Sequence, residues 1–286
     1  MLDPSLVAEL RPALHRYCAR MTGSVIDGED VVQQALANAV EVFDRQGPVQ
    51  NPKGWLFRIA HNAALDLLRR RARDQAGLGR EEVLIMTDST SSPDQQLAAA
   101  AALHAFMRLP ASQRSSVILM DVLGYSLEEI ADIVQSTVPA VKASLHRGRT
   151  RLREIADEPD DAAAPALAPA ERELLLAYID RFNARDFDAI RAMLAEEVRL
   201  DLVARTTMKG KAEVQTYFHN YSGKPDWLLV PGFVERRPAI LVCDPGRPSS
   251  PPLYFVLLRW EEGALAHVRD FRYARYATEG AEMRRL

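Results

Sequence analysis

Cysteine is nearly missing from this 286-residue chain. Cys18 and Cys243 stand far apart, with neither the density of a disulfide framework nor metal-ligand spacing, so no metal and no cofactor is expected. A long apolar run is also absent. The stretch 253–258 is far too short to cross a bilayer, and no charged-then-apolar leader opens the chain. The expectation is a soluble, cytoplasmic protein with no membrane partner. Charge of one sign is lacking as well: 36 Lys and Arg against 39 Asp and Glu give a net charge of −3. That excludes a general basic coat, so any grip on nucleic acid must come from locally placed cations. The length admits two or three modest domains.

What is present is concentrated first in residues 125–154, where two short amphipathic helices flank a tight turn. Ser126 with Glu129 three places on forms a capping box, and Leu127, Ile130, Ala131 and Val134 make the buried stripe that follows. Thr137 caps a second helix whose early Pro139 fits the first turn, with Val141, Leu145 and Leu152 facing inward. Its outer side carries Lys142, His146, Arg147, Arg149, Arg151 and Arg153. This is a helix-turn-helix whose second helix suits the major groove, with flanking cations on phosphates.

Upstream, three helices are expected. Leu6, Leu10, Leu14 and Tyr17 stripe the first, and Gly23 ends it. The second starts at Asp27, with carboxylates at the positive end of its dipole and Val31, Val32, Ala35, Leu36, Ala39 and Phe43 on its apolar face. After a turn-rich loop, Trp55, Leu56, Ile59, Ala60, Ala63, Leu67 and Leu68 stripe the third, which ends in Arg69, Arg70, Arg71 and Arg73. Trp55 and Phe57 beside Arg58 and Asn62 are the mixture that binds unstacked single strands, where rings stack on bases and cations track the backbone. For Trp55 itself the core reading is the favoured one, and the loop and polar face keep the functional reading.

With these segments in view, the chain resembles the extracytoplasmic-function, or group IV, members of the sigma-70 family over residues 5–155. Residues 27–34 (DGEDVVQQ) are similar to the region 2.2 signature, 52–62 (PKGWLFRIAHN) and 64–70 (ALDLLRR) to the promoter-melting segment, and 109–153 to region 4. Gln34 stands where many relatives have glutamate, and Val40 where an aromatic is common. The resemblance implies that Asp30, Gln33 and Gln34 dock bacterial RNA polymerase core enzyme. It implies that the loop 46–53, with Asn51 and Lys53, and then Arg58, Asn62, Asp66, Arg69 and Arg70, recognise and open the minus-ten element of promoter DNA. It assigns the minus-35 element to Ser136, Thr137, Pro139, Ala140, Lys142, Ala143, His146, Arg147 and Arg149.

The expected domains are 1–74 and 95–156, both all-helical, joined by a tether at 75–94 that lets them separate. An Ala/Pro linker at 157–169 leads to an α+β domain at 170–286. There, helical spacing over 170–194 precedes a strand at 198–203, a helix at 211–221, and strands at 227–234, 239–243, 253–260 and 265–276 forming a curved antiparallel sheet. This order, with 178–187 (YIDRFNARDF) and 193–198 (MLAEEV), is similar to SnoaL-like domains of the cone-shaped fold. Relatives on that fold include isomerases and cyclases with a pocket carboxylate or histidine, which makes Asp201, Tyr217, His219, His267 and Asp270 the polar candidates. Fold alone confers no reaction, and no catalytic residue is assigned. The reading is a sigma factor whose C-terminal domain regulates it in cis, with room for a small-molecule ligand or a separate anti-sigma partner. Its rivals are a ligand-sensing helix-turn-helix regulator and a fused isomerase- or cyclase-type enzyme in 170–286.

Overall fold

The computed structural model describes residues 2–47, 49–75, 93–156, 166–222 and 227–286. Most of the two expected linkers, 76–92 and 157–165, lies outside the described residues, as does Pro48 of the loop 46–53. The chain divides into two compact units, 1–161 and 162–286, with the boundary inside the expected Ala/Pro linker.

Three long helices open the first unit: α1 (Pro4–Thr22), α2 (Val25–Gln46) and α3 (Pro52–Gln75). Their limits follow from caps. Asp3 accepts from the Ser5 amide at 2.9 Å, and Gly23, at φ 75°, supplies the left-handed residue that ends α1. Ser24 then caps α2 by accepting from the Asp27 amide at 3.2 Å, so that helix begins two residues earlier than expected. Asn51 caps α3 through the Gly54 amide at 3.0 Å. Helices α1 and α2 cross closely at Gly28, where a Cβ would fall 2.5 Å from the Ala19 backbone nitrogen.

The rest of the unit is built from short helices: α4 (Pro93–Ala100), α5 (Leu103–Met107), α6 (Ala111–Val117), α7 (Leu127–Val134) and α8 (Val138–Ala156). A π-helical turn at Ile118–Val122 follows α6. Pro93 and Asp94, assigned to the tether, instead open α4. The capping box forms as expected, with Glu129 N donating to Ser126 Oγ and Ser126 N to the Glu129 carboxylate. Gly148 lets α8 approach α6, since a Cβ there would meet Val117 at 2.7 Å.

The two helical segments share one apolar core in this structure, running from Leu14, Tyr17 and Phe57 to Phe106, Ile130 and Leu145. Trp55 lies inside it, 7% exposed, so the core reading holds for that ring. Burying each such side chain contributes about 1.5–3 kcal/mol. Arg114 stitches the segments together. Its buried guanidinium donates to the carbonyls of Met21, at the end of α1, and of Leu109, at 2.5 and 2.8 Å.

In the second unit α9 (Pro169–Asn183), α10 (Phe187–Ala192) and α11 (Lys211–Ser222) pack on a seven-stranded sheet. The strands are β1 (Leu194–Leu202), β2 (Thr206–Lys209), β3 (Leu228–Val234), β4 (Arg237–Cys243), β5 (Tyr254–Glu261), β6 (Ala264–Asp270) and β7 (Met283–Arg285). Their order is β2-β1-β6-β5-β4-β3-β7. The α+β class is as expected, but the sheet is not wholly antiparallel: β1 and β6 run parallel. The single helix expected over 170–194 is broken at Ala184–Asp186, and the strand expected over 265–276 stops at Asp270. Leu200, Ile240, Val242 and Val268 form the inner face and pack with Tyr178 and Phe182 of α9.

Candidate nucleic-acid interface

Helical spacing sets Arg58, Asn62 and Asp66, with Arg69 and Arg70 a turn further on, along one side of α3. Asn62, Asp66, Arg69 and Arg70 are exposed and Arg58 is half-buried. Asp66 pairs with Arg69 at 3.1 Å, and its carbonyl accepts from Arg70, so the basic end of α3 is locally ordered. Asn51 and Lys53 project at its start, both exposed. On α2, Asp30 lies exposed, with Gln33 and Gln34 exposed one turn further on. The residue beside them does the structural work: Glu29 is fully buried and ion-paired with Arg11. His61, inside the melting-segment motif, is likewise buried, 2.7 Å from the Tyr17 hydroxyl, and burial pulls its pKa from 6.5 to about 4.

On the helix-turn-helix, Ser136, Thr137, Pro139, Ala140 and Lys142 are exposed, and Ala143, His146 and Arg147 half-buried. Arg149 belongs elsewhere. Its Nε and Nη2 donate to the two oxygens of Asp121, at 2.9 and 2.5 Å, and Asp94 lies 3.7 Å away. Arg153 also pairs with Asp94, at 2.6 Å, and Arg151 with Glu154 at 2.7 Å. Part of the basic strip is therefore a clamp that fixes α8 to α4 and the π turn. The hydrogen bond to Asp121 raises the pKa of Arg149 further, against the opposing effect of burial.

The two sets of candidates face each other. One cleft of about 570 Å³ has Asn51, Lys53 and Arg58 on one wall and Glu129, Gln135 and Ser136 on the other. A second, of about 590 Å³, sets Leu65 and Arg69 of α3 against Gln135, Ser136 and Ala140. Clefts of this size hold a small molecule, not a double helix.

The five polar candidates of the second unit do not converge. Tyr217 donates to Asp270 at 2.7 Å on the inner face, where Asp270 is fully buried. The cavity there has about 10 Å³, the room of a single water. Asp201 and His267 pair at 2.8 Å on the other face, since Asp201 alternates with the core residues Leu200 and Leu202. Burial opposes ionisation of Asp201, but donors from His267, Arg199 and Thr207 prevail and hold its carboxyl well below the usual range. His219 is exposed on α11. Among the described residues no group of three or more His, Cys, Asp and Glu side chains could hold a metal.

Comparison with known proteins matches residues 6–74 to Sigma-70 region 2 and 99–152 to Sigma-70, region 4. The chain is 28% identical over 235 residues to the ECF RNA polymerase sigma factor SigG of Mycobacterium tuberculosis, covering 73% of this chain and 64% of SigG. It thus spans a little under two thirds of that relative. It is 34% identical to SigM of the same organism over 146 residues, 50% of this chain and 70% of SigM. The crystal structure of M. tuberculosis SigJ, at 18% identity, covers 94% of this chain and 95% of that one with a TM-score of 0.36. On the two region matches and the identity to SigM, the chain belongs to the extracytoplasmic-function RNA polymerase sigma factors.

Proposed function

We propose that this chain binds core RNA polymerase and directs it to promoters, with α8 on the upstream element and α3 with its preceding loop on the downstream one. The observation that carries this reading is the placement of both candidate sets on helices of one unit, each presenting side chains outward from a buried stripe. In the upstream element Lys142 and Arg147 are the cations left to meet DNA, because Arg149 is spent on Asp121. Asp30, Gln33 and Gln34 are the proposed polymerase contact. The work is placed in the cytoplasm; among the described residues no helix is long and apolar enough to cross a membrane.

Engaging a promoter then requires the two faces of the clefts to part, because both elements must be held at once by surfaces that now look at each other. The second unit is assigned a regulatory role in cis and no chemistry, since its inner cavity has no space for a substrate beside Tyr217 and Asp270. Reconstituted transcription with core enzyme and a promoter library tests the reading. Full-length protein is compared with a chain ending near Glu158. Failure of both to support promoter-dependent transcripts would end the sigma reading, whereas equal activity of the two across conditions would end the regulatory role.

A further inference from the structure

Tyr125 sits at the point where the helix-turn-helix meets the melting segment, and it is badly served there. Its ring is buried, 4% exposed, and packs on Phe57 of α3 with centroids 5.1 Å apart. The Lys53 ammonium lies 4.6 Å from the ring centroid. Yet the Tyr125 hydroxyl is shut off from solvent and has no hydrogen-bond partner among the described residues. A buried hydroxyl without a partner loses its hydration and gains nothing in return, whereas the same group at an opened surface is solvated again. Burial also raises the phenol's pKa well above its usual value, so it stays neutral.

The contact therefore contains opposed terms within one side chain. The ring and the cation above it favour contact between the halves, while the hydroxyl disfavours it. We infer that Tyr125 is a built-in release element of an autoinhibitory contact, holding Lys53 and the melting segment against the helix-turn-helix while its hydroxyl lowers the preference for that closed state. A phenylalanine would pack as well and carry no such penalty. Tyrosine at this position is what a two-state interface needs, since an element that both ligands and solvent can bias must not be too stable on either side.

This inference rests on the promoter reading only for its consequence. The conformational claim stands without it. The test uses the full chain with donor and acceptor dyes on cysteines introduced at the exposed positions Asp44 and Glu128, one on each side of the contact. Energy transfer reports closure, and anisotropy of a short duplex pool of randomised sequence at low salt reports DNA binding, with no polymerase needed. Tyr125→Phe is expected to shift the equilibrium toward closure by on the order of tenfold, raising transfer and weakening duplex binding by a similar factor. Tyr125→Leu, which removes the ring, is expected to do the reverse. Opposite signs from two apolar replacements at one buried site are not what a merely structural tyrosine gives. Transfer that is unchanged in both variants, or that moves the same way in both, overturns the inference. Because Phe is isosteric with the buried ring, that arm remains decisive even where the Leu variant unfolds. Transfer that moves as expected while no variant binds duplex supports the device and counts against the promoter reading.

Discussion

Arg147 and Arg149 are two residues apart on one helix, and of the two only Arg149 is tied to carboxylates among the described residues. Replacing Arg149 by alanine removes the two hydrogen bonds that neutralise Asp121, a carboxylate whose side chain has no exposure at all, and strips Asp94 of one of its two cations. An uncompensated buried charge costs about 3–5 kcal/mol. For a unit of this size that lowers the melting temperature by about 10 °C. Arg149→Lys keeps the charge but not the fork and is expected to fall between. Arg147→Ala should leave stability within about 0.5 kcal/mol, because no carboxylate holds it among the described residues. It should instead weaken binding to an upstream-element duplex by about 1–3 kcal/mol if it reads a base. Thermal melts and duplex titrations on both variants separate the two roles. The double variant Asp121→Ala with Arg149→Ala should recover part of the loss, the signature of a coupled pair. An Arg149→Ala protein that melts normally but no longer binds the promoter would refute the assignment.

His61 makes the first unit acid-sensitive. Burial, aided by the charge of Arg69, holds its folded pKa near 4 against 6.5, so the unfolded chain takes up the proton first. Stability is whole above about pH 6.5, falls as the pH drops toward 4 by roughly 3 kcal/mol in all, and levels below; urea unfolding across that window should show the slope and His61→Gln should flatten it. Gly28→Ala drives a methyl into the backbone of α1, and a loss of about 2 kcal/mol in denaturant unfolding is expected, with no effect if the helices can part freely. Asn62→Ala should leave the closed promoter complex intact while lowering open-complex formation, and a premelted promoter should restore activity; absence of rescue removes Asn62 from strand opening.

Local partners made much of this legible in advance. The capping box of Ser126 and Glu129 spans three residues, and the stripes of α1 to α3 repeat at helical period, so helices and turn could be read without knowing the fold. Arg149 could not be sorted from Arg147 that way. Its partner Asp121 lies 28 residues away on a π turn that no periodicity announces. The same limit hid Glu29, whose burial depends on Arg11, and Tyr125, whose contact with Lys53 joins two segments expected to move apart. In the sheet, β2 and β7 have four and three residues, too few to display a period of two. The separation of Asp201 from Asp270 had a signal: in 198–203 the alternation sets Asp201 opposite Leu200 and Leu202, hence away from a pocket.

How firmly the clefts are shut decides what can open them. The Tyr125–Phe57 ring pair contributes about 0.5–1.5 kcal/mol and the Lys53 cation about 0.5–1 kcal/mol, together some 1–2.5 kcal/mol before the hydroxyl is counted against them. Arg114 adds to closure through the Met21 carbonyl. Taken alone, those two contacts favour the closed form by roughly 5- to 70-fold, the buried hydroxyl offsets part of that, and apparent promoter affinity falls below intrinsic affinity by whatever preference remains. A partner removes that deficit only by its differential affinity for the open form. If core polymerase docks on Asp30, Gln33 and Gln34 as proposed, it has such a means, because these residues lie exposed on α2, outside those that line the cleft between Lys53 and Ser136. It would then bind the closed chain first and favour opening afterwards. The tethered second unit can act with the opposite sign, since at the millimolar effective concentration of a short linker even a weak preference for the closed form changes the populations. Truncation near Glu158 should then raise duplex affinity in the wild type and do so less in Tyr125→Leu, where the closed form has already lost its ring contact. Equal gains in both would mean that the second unit acts at some other place than this interface.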